Sequence, residues 1–238
     1  MLLRSLFVAA AFAALAAAPA AAEPILADLE PCYVAAQEDQ TEPVEVDGAG
    51  FTPTKTVDIF IDGIQADISP TVDLEGKILG TVDAPFIEEG ERQFTLRVAE
   101  RETTAGGVIN QVTKTARVTR LSVTQSPSRA ATREHVRFRG RGFTETVQPD
   151  LAGPFRPVYA HYVFAGHSQK TVRLGVPTGP CGRFSVKRKQ FPFKNSPRRG
   201  VWTIQFDQER VYNAKAAVNY RLTVRVSKQV KPQRARAR

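Results

Sequence analysis

Apolar and polar residues alternate along most of this chain with a period of two, the period of a strand with one face buried. Val44 and Val46 alternate with Glu45 and Asp47, and Val57, Ile59 and Ile61 with Asp58, Phe60 and Asp62. Phe94, Leu96 and Val98 alternate with Thr95 and Arg97 inside a run from Glu91 to Arg101. Further on, Val136 and Phe138 alternate with Arg137 and Arg139, and Tyr220, Leu222, Val224 and Val226 with Arg221, Thr223 and Arg225. Strands are also expected over 25–34, 77–82 and 108–118, with a polar turn over 37–43 and a tight turn at Asp62-Gly63. No segment sustains a helical period. Short strands separated by Gly- and Pro-containing turns at intervals of about 8–12 residues predict an all-β fold.

One stretch occurs twice. Gly48-Ala49-Gly50-Phe51-Thr52 returns 92 positions later as Gly140-Arg141-Gly142-Phe143-Thr144. In each copy the glycines can adopt positive φ and the Phe can turn into a core. Ile61-Asp62-Gly63 corresponds to Phe164-Ala165-Gly166, an offset of 103, so about 11 residues are inserted around Gln148 to Pro157. Gly76-Lys77-Ile78 corresponds to Gly182-Arg183-Phe184, and Phe94 to Trp202. Thr119 to Gln125 reads as a link between two modules. The expected layout is a signal segment 1–22, an acidic module 23–120, a basic module 121–227 and a basic tail 228–238 without apolar periodicity.

The run Val46-Asp47-Gly48-Ala49-Gly50-Phe51-Thr52-Pro53, followed by Val57-Asp58-Ile59 and Asp62-Gly63, resembles the Gly-x-Gly-Phe-x-Pro corner of bacterial secreted Ig-like (IPT-type) repeats. Pro85, then Gly90-Glu91-Arg92-Gln93-Phe94-Thr95, is similar to their penultimate strand. The resemblance implies two tandem immunoglobulin-like β-sandwiches in a secreted, modular protein, and it brings no catalytic residues. Cys32 and Cys181 are the only cysteines, one in each module. An Ig-like strand order turns the Cys181 loop back toward the first module, which favours a bridge between the two. Free thiols and intermolecular pairing are the alternatives.

Arg4, the Ala-rich run from Leu6 to Ala18 and Ala20-Ala21-Ala22 have the form of an export signal cleaved before Glu23. The expected location is therefore extracellular, wall-associated or periplasmic, a compartment that permits disulfides. No later run reaches the roughly 18 apolar residues of a membrane-spanning helix.

Charge changes the picture most. The chain carries +9 overall. Residues 23–120 hold 19 acids and 8 bases, while residues 121–238 hold 5 acids and 24 bases. In the second module the cations sit opposite apolar positions: Arg137, Arg139, Lys187, Lys189, Arg221 and Arg225, with Arg198 and Arg199 in an adjoining turn. Such a field concentrates polyanions, so the expected partner is an anionic envelope polymer or surface. Teichoic-type polymers, acidic glycans, anionic lipid headgroups and nucleic acid all qualify, and Tyr159, Tyr162, Phe191 and Phe193 offer stacking surfaces. Head-to-tail association of acidic with basic modules is another reading, as is a merely solvated face.

Candidate chemistry is sparse. His161 and His167 are six apart, where a helical zinc pair needs three or four. They read as a strand residue and a turn residue. No Gly-x-Ser-x-Gly elbow anchors a nucleophile. Glu88, Glu89, Glu91, Asp58 and Asp62 read as turn and outer-face carboxylates, and the Asp spacing fits no calcium loop. The expected function is a non-catalytic binding or structural protein of the cell envelope, with no cofactor, no metal and no evident small-molecule substrate. The alternative is a secreted enzyme or inhibitor whose site lies in the insertion at 148–157.

Overall fold

The computed structural model describes residues 23–101, 108–147 and 154–227. The expected signal segment, the tail and positions 148–153 of the insertion lie outside the described residues. Within them the chain is all-β. In the first half, β1 (Ile25–Leu26), β4 (Pro43–Ala49) and β7 (Ile78–Asp83) form a three-stranded sheet in the order β1-β4-β7. A six-stranded sheet combines β2 (Tyr33–Gln37), β3 (Gln40–Thr41), β5 (Val57–Ile61), β6 (Ile64–Gln65), β8 (Glu91–Arg101) and β9 (Val108–Arg120), in the order β3-β2-β9-β8-β5-β6. In the second half, β10 (Ser122–Ser126), β11 (His135–Arg141) and β14 (Phe184–Lys189) form the smaller sheet. The larger one comprises β12 (Val158–Phe164), β13 (His167–Gly175), β15 (Gly200–Asp207) and β16 (Tyr220–Val226), in the order β13-β12-β15-β16.

Each half buries the apolar positions of its two sheets against one another. Val44, Val46 and Ile78 from the small sheet meet Ile59, Phe94, Leu96 and Val118 from the large one. In the second half Val136 and Phe138 meet Tyr162, Trp202, Ile204 and Phe206. The strand order β9-β8-β5-β6 recurs as β16-β15-β12-β13. Asp62 (φ 51) and Gly63 (φ 83) make the same hairpin turn as Ala165 (φ 50) and Gly166 (φ 80). Ile61 faces Leu96 in the first half and Phe164 faces Trp202 in the second. The structural equivalent of Trp202 is thus Leu96 and not Phe94, a shift of two residues that keeps the same face.

The two glycines of the repeated corner do different work. Gly50 (φ 82) and Gly142 (φ 85) take the left-handed conformation expected of both. Gly48 and Gly140 do not; they make room for rings. A Cβ on Gly48 would lie 2.9 Å from the Phe51 ring, and one on Gly140 would lie 2.2 Å from the Phe184 ring and 2.9 Å from Phe143. Phe51 and Phe143 are buried as the pattern requires.

Two strand boundaries differ from expectation. The run 25–34 is not one strand: β1 belongs to the small sheet and β2 to the large one, where β2 pairs parallel with β9. The link expected over 119–125 is mostly strand. β9 ends at Arg120, β10 starts at Ser122, and the single residue between them, Leu121, is buried and donates its N–H to the Ala35 carbonyl. β2 is shared by both halves, since Tyr33 and Ala35 join the first core while Val34 joins the second. The halves are also joined covalently: Cys32 and Cys181 form a disulfide, with Cα atoms 5.2 Å apart across a sequence separation of 149. Beside it Glu91 accepts from Arg117 of its own half at 3.0 Å and from Arg183 of the other.

Candidate functional site

Register sorts the eight cations expected to bind anions. β11 pairs antiparallel with β14 so that Arg137 lies opposite Lys187, Arg139 opposite Ser185, and His135 opposite Lys189. β11 also pairs with β10, placing Arg137 beside Ser126 and Arg139 beside Thr124. Arg137, Arg139, Lys187 and Lys189 therefore share the outer face of one sheet, all exposed, among hydroxyl residues. That outer face carries no carboxylate, and none of the four is in an ion pair among the described residues. Arg137 reaches the Ser185 hydroxyl at 3.4 Å. Like charges directly opposite one another destabilise a sheet by some tenths of a kcal/mol, and here nothing on the face offsets them.

The other four stand elsewhere. Arg221 and Arg225 lie on β16, in the larger sheet on the far side of the core. Arg221 is turned to structural use: its Nε donates to Gln205 Oε1 at 3.1 Å, and a terminal nitrogen donates to the Ala214 carbonyl. Arg198 and Arg199 are exposed in the loop before β15, which is held by the Trp202 indole N–H donating to the Arg198 carbonyl at 2.8 Å. The eight do not make one patch. Three of the four expected stacking aromatics are reassigned: Tyr162 and Phe191 are buried in the second core, and Phe193 packs against that core, while Tyr159 is half-buried beside His161. Burial drives the Tyr162 hydroxyl pKa upward.

A second feature lies at the junction, a cleft of about 1390 Å³ between the halves, beside the disulfide. The first half lines it with Glu30, Val34 and Glu42, and the second with Glu145, Arg156 and Arg221. Burial pushes the Glu42 carboxyl up to about 7, against the Val34 N–H that donates to it at 2.7 Å. Burial raises Glu30 and Glu145 as well. The flanks of the insertion meet as a short antiparallel bridge, Thr146 with Phe155, and Gln208 clasps it by donating to the Glu145 and Arg156 carbonyls at 3.1 and 2.8 Å. Only this base of the inserted segment is described, and it borders the cleft.

Sequence reasoning missed a buried polar network on the outer side of the larger second sheet. His161 is a strand residue, as expected, but it is fully buried, as is Asp207. Its Nε2 faces Asp207 Oδ1 at 3.0 Å and the Glu209 carbonyl at 3.1 Å, both acceptors, so the ring proton sits there. Nδ1 lies 2.9 Å from the Thr171 hydroxyl. Gln205 and the Glu209 N–H complete the coordination of Asp207 at 2.8 and 2.9 Å. A hydroxyl, an imidazole and a carboxylate in line have the outline of an activated nucleophile. Here, however, the ring is fully buried, and the Asp207 carboxylate also holds Gln205 and the Glu209 N–H just after β15. His167 opens β13 and so is a strand residue rather than a turn residue.

The same position in the first half is Asp58, expected on the outer face. It is buried under the following loop, accepting from Gln65 and Ser69 at 3.1 Å each and paired with Arg101. Among the described residues no group of three or more His, Cys, Asp or Glu is placed to hold a metal ion.

No protein-family model matches the chain, and no curated protein matches it. Among solved structures it is similar to a β-glucuronidase of Parabacteroides merdae, with 8% identity and TM-score 0.26 over 86% of this chain and 25% of that one. It is also similar to red sea bream transglutaminase, at 17% identity and TM-score 0.29 over 87% and 32%. A third, β-glucuronidase 3 of Bacteroides uniformis, has 10% identity and TM-score 0.25 over 85% and 25%. The chain spans about a quarter to a third of these enzymes. The likeness is too distant to carry an activity across.

Proposed function

We propose that this chain is a secreted, non-catalytic envelope protein built of two tandem Ig-like β-sandwiches, and that it binds anionic polymers through the outer face of β10-β11-β14. The observation that carries this reading is the group of exposed cations Arg137, Arg139, Lys187 and Lys189 on one face, with Arg137 directly opposite Lys187 and none of the four in an ion pair among the described residues. A solvated face kept only for solubility has no need to place Arg137 against Lys187. The sheet presents these charges at strand spacing, and a polymer of repeating anionic groups matches it without a shaped pocket. The disulfide accords with an oxidising compartment. The +19 balance of residues 121–238 would draw polyanions toward this half before contact.

A sulfated polysaccharide such as heparin serves as the probe. Its affinity for the full chain should fall more than about tenfold as ionic strength rises from about 0.05 to 0.5 M, because exposed charges are screened. Affinity that is unchanged over this range would contradict the reading. A second reading, an enzyme or inhibitor site at the junction cleft, rests on the inserted segment bordering that cleft. Turnover in a broad hydrolase panel, lost on Glu42→Gln, would favour it.

A further inference from the structure

The cationic sheet has an opposite in the same molecule. β4 and β7 pair with Gly48 opposite Ile78, and β11 and β14 with Gly140 opposite Phe184, so these two strand pairs correspond residue for residue. Their inner positions agree in kind: Val44, Val46 and Ile78 against Val136, Phe138 and Phe184. Their outer positions are inverted. Glu45 stands where Arg137 stands, Asp47 where Arg139 stands, and Asp83 where Lys189 stands. The acidic face carries no cation except Lys77 at its margin, which pairs with Glu75 at 3.0 Å. It also exposes two large apolar side chains, Ile25 at 63% and Leu79 at 77%. Leu79 lies opposite Asp47, and Ile25 lies opposite Ala49 on the adjoining pair of strands.

We infer that a second copy of this chain docks here: the acidic outer face of β1-β4-β7 in one copy lies against the cationic outer face of β10-β11-β14 in the next. The contact relieves the cross-strand repulsion of Arg137 with Lys187 by setting carboxylates against them. The aliphatic stems of these cations cover Ile25 and Leu79 while their charged ends reach Glu45, Asp47 and Asp83. The two surfaces differ, so the contact is heterologous. Each added copy leaves one acidic and one basic face free, and association continues until rotation closes a ring or a filament grows. This uses the face assigned above to anionic polymers but not that ligand; polymer and second copy compete for it.

Sedimentation velocity on the full chain tests this. At about 0.01 M ionic strength the Debye length is about 30 Å, and at about 1 M it is about 3 Å. The mean mass should rise with protein concentration in the first condition and return to monomer in the second. The variant Glu45→Lys/Asp47→Lys/Asp83→Lys should be monomeric at low salt, and so should Arg137→Glu/Arg139→Glu/Lys187→Glu/Lys189→Glu. Mixing these two restores opposite faces between molecules and should restore association. A wild type that is monomeric at low salt overturns the inference, as does a mixture that stays monomeric while wild type associates. The acid-face variant keeps the cationic sheet, so it should still bind heparin. Loss of heparin binding there would break the polymer reading while leaving this one standing.

Discussion

The two small sheets teach by how little separates them. Both are three-stranded, share one register and bury the same kind of inner residue, yet one presents Glu45, Asp47 and Asp83 and the other Arg137, Arg139 and Lys189. Inner positions are constrained by packing, where a change of one methylene is felt. Outer positions bear no such constraint, so a repeated scaffold can diverge in charge without diverging in fold. The larger sheets show the same division. Asp58 and His161 occupy one position of the repeat, both buried, both clasping the chain that covers them, with unrelated chemistry.

The strongest way to break the comparison is to separate the halves. Cys32→Ser/Cys181→Ser opens a bridge with a sequence separation of 149, and in the chain-entropy picture such a loop is worth roughly 5 kcal/mol. Thermal unfolding should shift down sharply, and a single transition should split if the shared strand β2 no longer holds the halves together. Next are the corners. Phe51→Ala and Phe143→Ala should each cost about 3–5 kcal/mol by cavity formation, measured by urea denaturation. Unequal losses would show that the two corners are not equivalent in energy. The clasps follow: Asp58→Ala and Asp207→Ala each strand buried donors and should cost about 1–3 kcal/mol per group left unpaired.

Protons act oppositely at two junction carboxylates. Glu42, raised to about 7 from an ordinary 4.5, holds its proton in the folded chain where the unfolded chain has lost it. Its contribution to stability is therefore full below about pH 4.5 and declines as pH rises to about 7. Burial would raise Glu91, but hydrogen bonds from Arg183 and Arg117 outweigh it and hold its pKa down. Its contribution is present above the ordinary carboxylate range and lost as pH falls through the lowered value. Urea midpoints followed from pH 4 to 8 should decline less above about pH 4.5 in Glu42→Gln than in the wild type. The smallest effect belongs to the cationic sheet itself. Lys187→Gln should raise stability by a few tenths of a kcal/mol by removing the like charge opposite Arg137.

Much of this was legible from alternation alone. β8 begins and ends at Glu91 and Arg101 as expected, because its inward residues are large and Gly90 (φ 80) turns the chain into it. β10 was hidden, since Val123 is its one buried apolar residue and Ser122, Thr124, Gln125 and Ser126 read as a link. The cations of β11 were placed by parity with Val136 and Phe138. That Lys187 and Lys189 share their face while Arg221 and Arg225 lie across the core depends on which strands pair, information that no local pattern holds. His161 and Asp207 meet across 46 residues, and neither neighbourhood signals a buried polar group.

The most direct test compares heparin affinity of the full chain with its own sites removed, at about 0.1 M ionic strength, where surface charges still act over about 10 Å. Arg137→Gln/Arg139→Gln/Lys187→Gln/Lys189→Gln is set beside Arg198→Gln/Arg199→Gln/Arg221→Gln/Arg225→Gln, two variants that each lose four charges. If the β10-β11-β14 face is the binding surface, the first should lose affinity by more than about tenfold and the second by only the small loss expected of remote charge. Equal losses would show that net charge alone draws the polymer and would contradict the account.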